Sequence, residues 1–270
     1  MEHLLSAWAK IGHQLKYASH ILLLADYDGT LTPIVQRPEL ANLSKDTRLL
    51  LKALSHQQQL TLAIISGRAL TDLKHKVRIR DIIYAGNHGL EIEGPGINFV
   101  YPMAKEIIPI LDVLHSLLSQ SLRAIEGALV ENKGLSLSVH YREVTEDKIE
   151  EVKNILERVA ASAQASGTVR ITTGKKMYEI RPTVDWNKGN ATELLMQRYG
   201  KGDRKSELLS IFLGDDLTDE DAFKVIEDYE NGISVAVGNT RQNTIARYFL
   251  ESPDEVVKFL GMLLNQRLEC

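Results

Sequence analysis

The chain has 270 residues, enough for one large domain or two modest ones with a buried core. Its 44% hydrophobic and 25% charged residues are an ordinary balance for a soluble globular protein, and a formal net charge of −4 argues against a non-specific nucleic-acid binder. The single cysteine, Cys270, excludes an internal disulfide framework and a cysteine zinc cluster, and no apolar run reaches the roughly 18 residues of a membrane span. The first residues lack a basic stretch followed by an apolar one, so no secretory leader is expected. The expected setting is cytoplasmic, with neither nucleic acid nor membrane as partner.

In chain order, Leu4, Leu5, Trp8, Ile11 and Leu15 share one face of a helix within residues 1–19. The run Ile21–Ala25 is apolar throughout and stops at Asp26, as a strand buried on both faces would. The pattern returns at Leu62–Ile65 before Ser66, at Leu208–Leu213 before Gly214-Asp215, and at Ile233–Val237 before Gly238. Between them lie helical stretches, such as Lys45–Leu54 behind the cap residue Ser44. This alternation predicts an α/β fold with a doubly wound, mostly parallel, Rossmann-like sheet. Ligands of such sheets bind beyond the C-terminal strand ends, so the polar residues there should converge on one site.

The middle of the chain reads differently. A helix over 105–125 precedes strands at Ala128–Asn132 and Leu135–Tyr141, with Lys133-Gly134 in the turn. A second helix, Thr145–Ala163, precedes strands at Val169–Thr173 and Met177–Arg181, with Gly174 between them. The doubled order predicts an inserted α+β cap over 103–182, bordered by Pro102 and Pro182, with the core formed by 1–102 and 183–270.

Four segments carry the chemistry. Asp26 and Asp28 lie two apart after a buried strand, so an extended backbone points both carboxylates one way. Two such charges repel, and a divalent cation with a taste for oxygen, such as Mg²⁺, relieves them. Gly29 and Thr30 offer N–H groups and a hydroxyl for phosphate oxygens. Ser66-Gly67-Arg68 supplies a hydroxyl that reads either as a phosphate ligand or as a helix N-cap. Lys188, opening a helix after Trp186-Asn187, runs against the helix dipole and so reads as an anion ligand or a surface lysine. Gly214 to Asp221 is densely acidic, with Asp215 and Asp219 both able to reach one metal.

In order, these four segments resemble the motifs of the haloacid dehalogenase-like phosphatases. Asp26–Ile34, Gly86-Asn87-His88-Gly89, Val130–Gly134, His140-Tyr141-Arg142, Gly174-Lys175 with Glu179, and Gly214–Glu220 narrow the resemblance to trehalose-6-phosphate phosphatases, over residues 21 to 260. The resemblance implies a Mg²⁺-dependent phosphatase with Asp26 as nucleophile and Asp28 as the acid and base. It implies metal ligation by Asp26, Asp28 through its backbone carbonyl, Asp215, Asp216 and Asp219. Phosphate would be held by Gly29, Thr30, Ser66, Gly67, Arg68 and Lys188. The sugar would be held by His88, Glu131, Lys133, Arg142, Lys175 and Glu179, although charged turns and a loop histidine are equally ordinary at those positions. The expected partner is a small sugar phosphate, trehalose 6-phosphate, and the expected state a monomer. Phosphatases of sucrose phosphate or glycosyl-glycerate phosphates, a phosphomutase and a non-catalytic sugar-phosphate sensor are the competing readings.

Overall fold

The computed structural model describes residues 1–174, 176–200, 208–238 and 244–268. Its elements run β1 (Glu2–His3), α1 (Trp8–Tyr17), β2 (His20–Ala25), α2 (Lys45–Ser55), β3 (Leu60–Ile65), α3 (Leu70–Val77), β4 (Ile83–Gly86), β5 (Glu91–Gly94) and β6 (Ile97–Val100). There follow α4 (Pro102–Glu106), α5 (Ile108–Leu122), β7 (Leu129–Asn132), β8 (Leu137–His140), α6 (Glu146–Ala165), β9 (Val169–Gly174) and β10 (Met177–Pro182). The chain closes with α7 (Lys188–Tyr199), β11 (Leu208–Gly214), α8 (Glu220–Glu227), β12 (Gly232–Val237), β13 (Tyr248–Leu250) and α9 (Pro253–Leu268). It divides into one unit of Met1–Phe99 with Trp186–Cys270, and a second of Val100–Asp185. Among the described residues no helix is long and apolar enough to cross a membrane.

The first unit holds a nine-stranded sheet in the order β1-β13-β12-β11-β2-β3-β4-β5-β6. From β1 to β4 every neighbouring pair is parallel, and β5 runs antiparallel to β4. Side chains of β2 alternate between two cores. Ile21, Leu23 and Ala25 join Leu15, Leu51, Leu73 and Phe259 on one face, while Leu22 and Leu24 join Leu195, Phe223 and Ile226 on the other. That double burial is why the strand reads as an unbroken apolar run. The short flanking strands β1, β4, β5, β6 and β13 carry no such run and are absent from the sequence reading. Residues 1–19 dock on the core: Leu4, Ile11 and Leu15 are fully buried, and Trp8 meets Phe259 edge-on at 6.2 Å.

The second unit is a four-stranded antiparallel sheet, β7-β8-β10-β9, with α5 and α6. Val139, Ile180 and Val169 pack with Leu111, Leu118, Val152 and Leu156, so one sheet face is buried under the helices. Glu131, Ser138, Glu179 and Thr172 are cross-strand partners in one row, on the opposite face from Val139 and Ile180. The single helix expected over 105–125 is two, with Ile107 between them. Pro109, which has no N–H, sits in the first turn of α5, where none is needed. The strand expected over Leu135–Tyr141 starts only at Leu137, because Lys133 N–H bonds to Ser136 C=O (2.9 Å) and draws those residues into the turn.

Candidate active site

The parallel strands end together, so Asp26 after β2, Ser66 after β3 and the Asp215 loop after β11 emerge at one edge of the sheet. Hydrogen bonding joins them: Asp26 N–H donates to Leu213 C=O (2.8 Å) and Ser66 N–H to Ala85 C=O (2.9 Å). The next residues fold into a tight loop. Leu31 and Thr32 both donate backbone N–H groups to Tyr27 C=O (3.1 and 3.0 Å), and Gly29 N–H closes on Thr32 C=O (2.8 Å). Gly29 has φ +91°, and a methyl group there would fall 2.2 Å from Asp215 Oδ2. Only glycine lets the loop come so close to that carboxylate.

Lys188 is the centre of charge. It opens α7 behind a reciprocal Asn187–Asn190 cap. Its ammonium donates to Asp26 Oδ1 at 2.6 Å and Asp219 Oδ1 at 2.7 Å, and all three side chains are buried. Burial opposes the Lys188 charge, but Asp219 and Asp26 more than offset it and keep its pKa above that of an ordinary lysine. Burial, and next to it the charges of Asp219, Asp215 and Asp28, push the Asp26 carboxyl well above the usual carboxylate range, against the pull of Lys188.

Asp26, Asp215 and Asp219 offer carboxylate oxygens within 4.8 Å of one another, all buried. Three carboxylates face one ammonium, and Thr30 Oγ1 is buried with no hydrogen-bond partner among the described residues. A hard, oxygen-seeking divalent cation such as Mg²⁺ fits that donor set and its surplus of negative charge.

Asp219, one of the trio, also braces its loop, and the other expected ligands are turned elsewhere. Asp219 Oδ2 accepts the backbone N–H groups of Asp215 (3.0 Å) and Asp216 (2.9 Å), so with Lys188 on Oδ1 both its oxygens build the loop. Asp216 Oδ1 caps Leu217 N–H at 2.6 Å, and its side chain is outside the buried trio. The Asp28 carboxylate is also outside the trio, held by Arg68 through Nε–Oδ2 and Nη2–Oδ1 bonds of 2.7 Å each, which leaves its expected ligand, the backbone carbonyl, unaffected. Arg68, expected on phosphate, therefore spends its fork on protein. Ser66 Oγ accepts Arg68 N–H (3.2 Å) in a local turn, and as a hydroxyl it still has a proton to donate. Gly67 lies under the His88 ring: a methyl group there would be 2.7 Å from His88 Nε2. Asn87 and His88 both take positive φ (48° and 58°), a strained pair tied down by Asn87 N–H to Arg68 C=O (2.7 Å) and His88 N–H to Ser66 C=O (2.9 Å).

In the second unit, the polar sheet face carries a second cluster. Lys133 Nζ donates to Glu179 Oε1 (3.0 Å) with both side chains buried, Arg181 Nε stands 3.8 Å from Glu179 Oε2, and Glu131 Oε2 pairs with His140 Nε2 (2.8 Å). Arg142 is half-buried just beyond β8, and Lys175 lies outside the described residues. The sequence reading missed Glu91, whose Oε1 takes Leu70 N–H (3.1 Å) and Asn87 Nδ2 (2.8 Å), and Asp72, which takes Arg68 Nη1 (2.7 Å). The Arg68–Asp72 pair has the i,i+4 spacing that betrays such contacts; Glu91 gives no sequence signal.

Known proteins resemble this chain in sequence and in fold. The family model described as trehalose-phosphatase matches residues 24–254. A protein named probable trehalose-phosphate phosphatase D, from Arabidopsis thaliana, is 36% identical over 254 residues, 91% of this chain and 67% of that protein. Trehalose 6-phosphate phosphatase RA3 of Zea mays is 35% identical over 260 residues, 92% of this chain and 70% of its own. The chain thus spans about two thirds of the length of these relatives. Among solved structures, the C-terminal domain of C. albicans trehalose-6-phosphate phosphatase superposes with a TM-score of 0.80 at 26% identity, covering 98% of both chains.

Proposed function

Because the chain belongs to the trehalose-phosphatase family, a family of phosphoric monoester hydrolases, we propose that it hydrolyses trehalose 6-phosphate to trehalose and phosphate through an aspartyl-phosphate on Asp26. The observation that carries this reading is the buried Asp26 carboxylate, bonded to Lys188 at 2.6 Å and grouped with Asp215 and Asp219.

An Asp26 oxygen attacks phosphorus in line, and the bond from phosphorus to the sugar oxygen breaks. Lys188 balances charge on the nucleophile and the equatorial phosphate oxygens, where the transition state spreads it. The Gly29 and Thr30 loop and the Ser66 hydroxyl supply further donors to the same oxygens. A Mg²⁺ ion, held by Asp26 and Asp215 with Asp219 bracing the loop, would neutralise the surplus negative charge and orient the phosphate. Asp28 protonates the departing sugar oxygen. It then takes a proton from the water that attacks the aspartyl-phosphate. We assign the sugar hydroxyls to Glu131, Lys133 and Glu179, since a site built on paired polar groups rejects ligands that leave those groups unpaired.

Release of inorganic phosphate, measured with and without Mg²⁺ on trehalose 6-phosphate, glucose 6-phosphate and sucrose 6-phosphate, tests the reading. The expected result is Mg²⁺-dependent release from the first substrate well above the other two. Asp26→Asn, which keeps the side chain's size and folds, should abolish it. Near-normal turnover by that variant would sink the nucleophile assignment, and preference for another sugar phosphate would sink the substrate.

A further inference from the structure

The geometry points to Arg68 as the positioning residue for Asp28: it holds that carboxylate in place as the base of the dephosphorylation step. The inference rests on the phosphatase reading above. Arg68 lies in the turn between β3 and α3, two residues after Ser66, with its side chain only 9% exposed. It makes four hydrogen bonds to protein: Nε to Asp28 Oδ2 (2.7 Å), Nη2 to Asp28 Oδ1 (2.7 Å), Nη2 to Pro38 C=O (2.8 Å) and Nη1 to Asp72 Oδ2 (2.7 Å). A guanidinium has five N–H donors, so among the described residues one is left, too little for a phosphate clamp.

The guanidinium is itself anchored on three sides. It stands 5.2 Å from the centre of the Tyr27 ring, near enough for a cation–π contact. Asp72 holds it from the first turn of α3. Pro38 C=O holds it from the loop after the Asp26–Thr32 turn, and Lys76, four residues beyond Asp72, fixes the same loop through Glu39 C=O (2.9 Å). Arg68, Asp72 and Lys76 thus follow a four-residue spacing along one face and stitch that loop down. Through the two-pronged bond this rigidity passes to Asp28, because a planar fork on a carboxylate sets the carboxylate's plane as well as its distance.

Asp28 is open on its other side, its side chain 42% exposed, so water can reach a carboxylate that cannot turn. In the step concerned, Asp28 accepts a proton from that water while the water oxygen bonds to phosphorus. The phosphorus–oxygen bond to Asp26 breaks, freeing the Asp26 carboxylate and inorganic phosphate. A general base works only within hydrogen-bond reach of its proton, and a free rotor at Asp28 would spend most of its time elsewhere.

The test follows the full chain with Mg²⁺ and saturating trehalose 6-phosphate, stopped in acid during steady turnover, and reads the fraction of enzyme carrying one phosphoryl group by intact mass. Arg68→Met keeps the apolar stem on Tyr27 and removes the fork. It should lower phosphate release about 10- to 100-fold and leave KM unraised, and it should lift the phosphorylated fraction to the extent that the water step, more than the sugar-leaving step that Asp28 also serves, depends on its placement. Arg68→Lys should fall between the two, and Asp72→Asn should shift the same way by less. A phosphorylated fraction that is unchanged or lower, with KM raised, would make Arg68 a substrate ligand and overturn the inference. Should Arg68→Met fail to fold, Asp72→Asn decides: release and phosphorylated fraction both at wild-type values would overturn it. Wild-type enzyme that releases no phosphate would sink the phosphatase reading along with this one. Active wild type with normal phosphate release by Arg68→Met sinks only the role of Arg68.

Discussion

Asp219 distinguishes a structural brace from a metal ligand, and two substitutions separate the roles. Its side chain is fully buried and accepts three hydrogen bonds, from Lys188 Nζ (2.7 Å), Asp215 N–H (3.0 Å) and Asp216 N–H (2.9 Å). Asp219→Ala removes all three and leaves Lys188 with Asp26 alone. Breaking a buried, hydrogen-bonded ion pair costs about 3–5 kcal/mol. Asp219→Asn is gentler: its carbonyl oxygen still accepts both backbone N–H groups, and only the contact to Lys188 is lost. That is about 1.5–3 kcal/mol, the worth of one hydrogen bond to a charged group. At about 2–4 °C per kcal/mol for a chain of this size, the alanine variant should melt about 6–20 °C below wild type and the asparagine variant about 3–12 °C below. Both tryptophans, Trp8 and Trp186, belong to the unit that holds the site, so their emission in metal-free buffer follows that unit. If both variants melted within about 2 °C of wild type while needing far more Mg²⁺ for activity, Asp219 would be a metal ligand and the brace argument would fail.

Gly29→Ala should cut kcat/KM about 100-fold, because its methyl group displaces the Asp215 carboxylate it would meet at 2.2 Å, and a 1 Å misplacement has that scale of effect; normal kinetics would mean the loop can yield without harm. At the other end of the sheet, Glu255 is held below its usual pKa, first by Glu251 N–H (2.8 Å) and then by His3 (2.9 Å). A depressed carboxyl stabilises the fold above its unfolded pKa and loses that contribution as pH falls through the folded value. Glu255→Gln should therefore unfold at lower urea than wild type at pH 7, with the gap closing by about pH 3. A gap that persists in acid would assign the effect to packing.

The sequence by itself made the parallel sheet legible and marked the strand ends where a site was expected. Strands buried on both faces must be apolar throughout, so β2, β3, β11 and β12 announce themselves, and the polar residues that end them mark the site. The alternating strands and paired helices of the middle unit are legible for the same reason: one face is buried, the other wet. What the sequence does not show in the first unit is the short strands β1, β4, β5, β6 and β13, which neighbouring strands hold through backbone hydrogen bonds that leave no side-chain pattern. Only the tertiary structure decided how the carboxylates divide their work. By residue type and strand-end position alone, Asp26, Asp28, Asp215, Asp216 and Asp219 are equivalent acids, and only the family resemblance assigns them different roles. In space Lys188 takes Asp26 and Asp219, Arg68 takes Asp28, and Leu217 N–H takes Asp216. A carboxylate's role follows from which donor reaches it, and Lys188 reaches Asp26 across 162 positions of chain, a separation that no local pattern encodes.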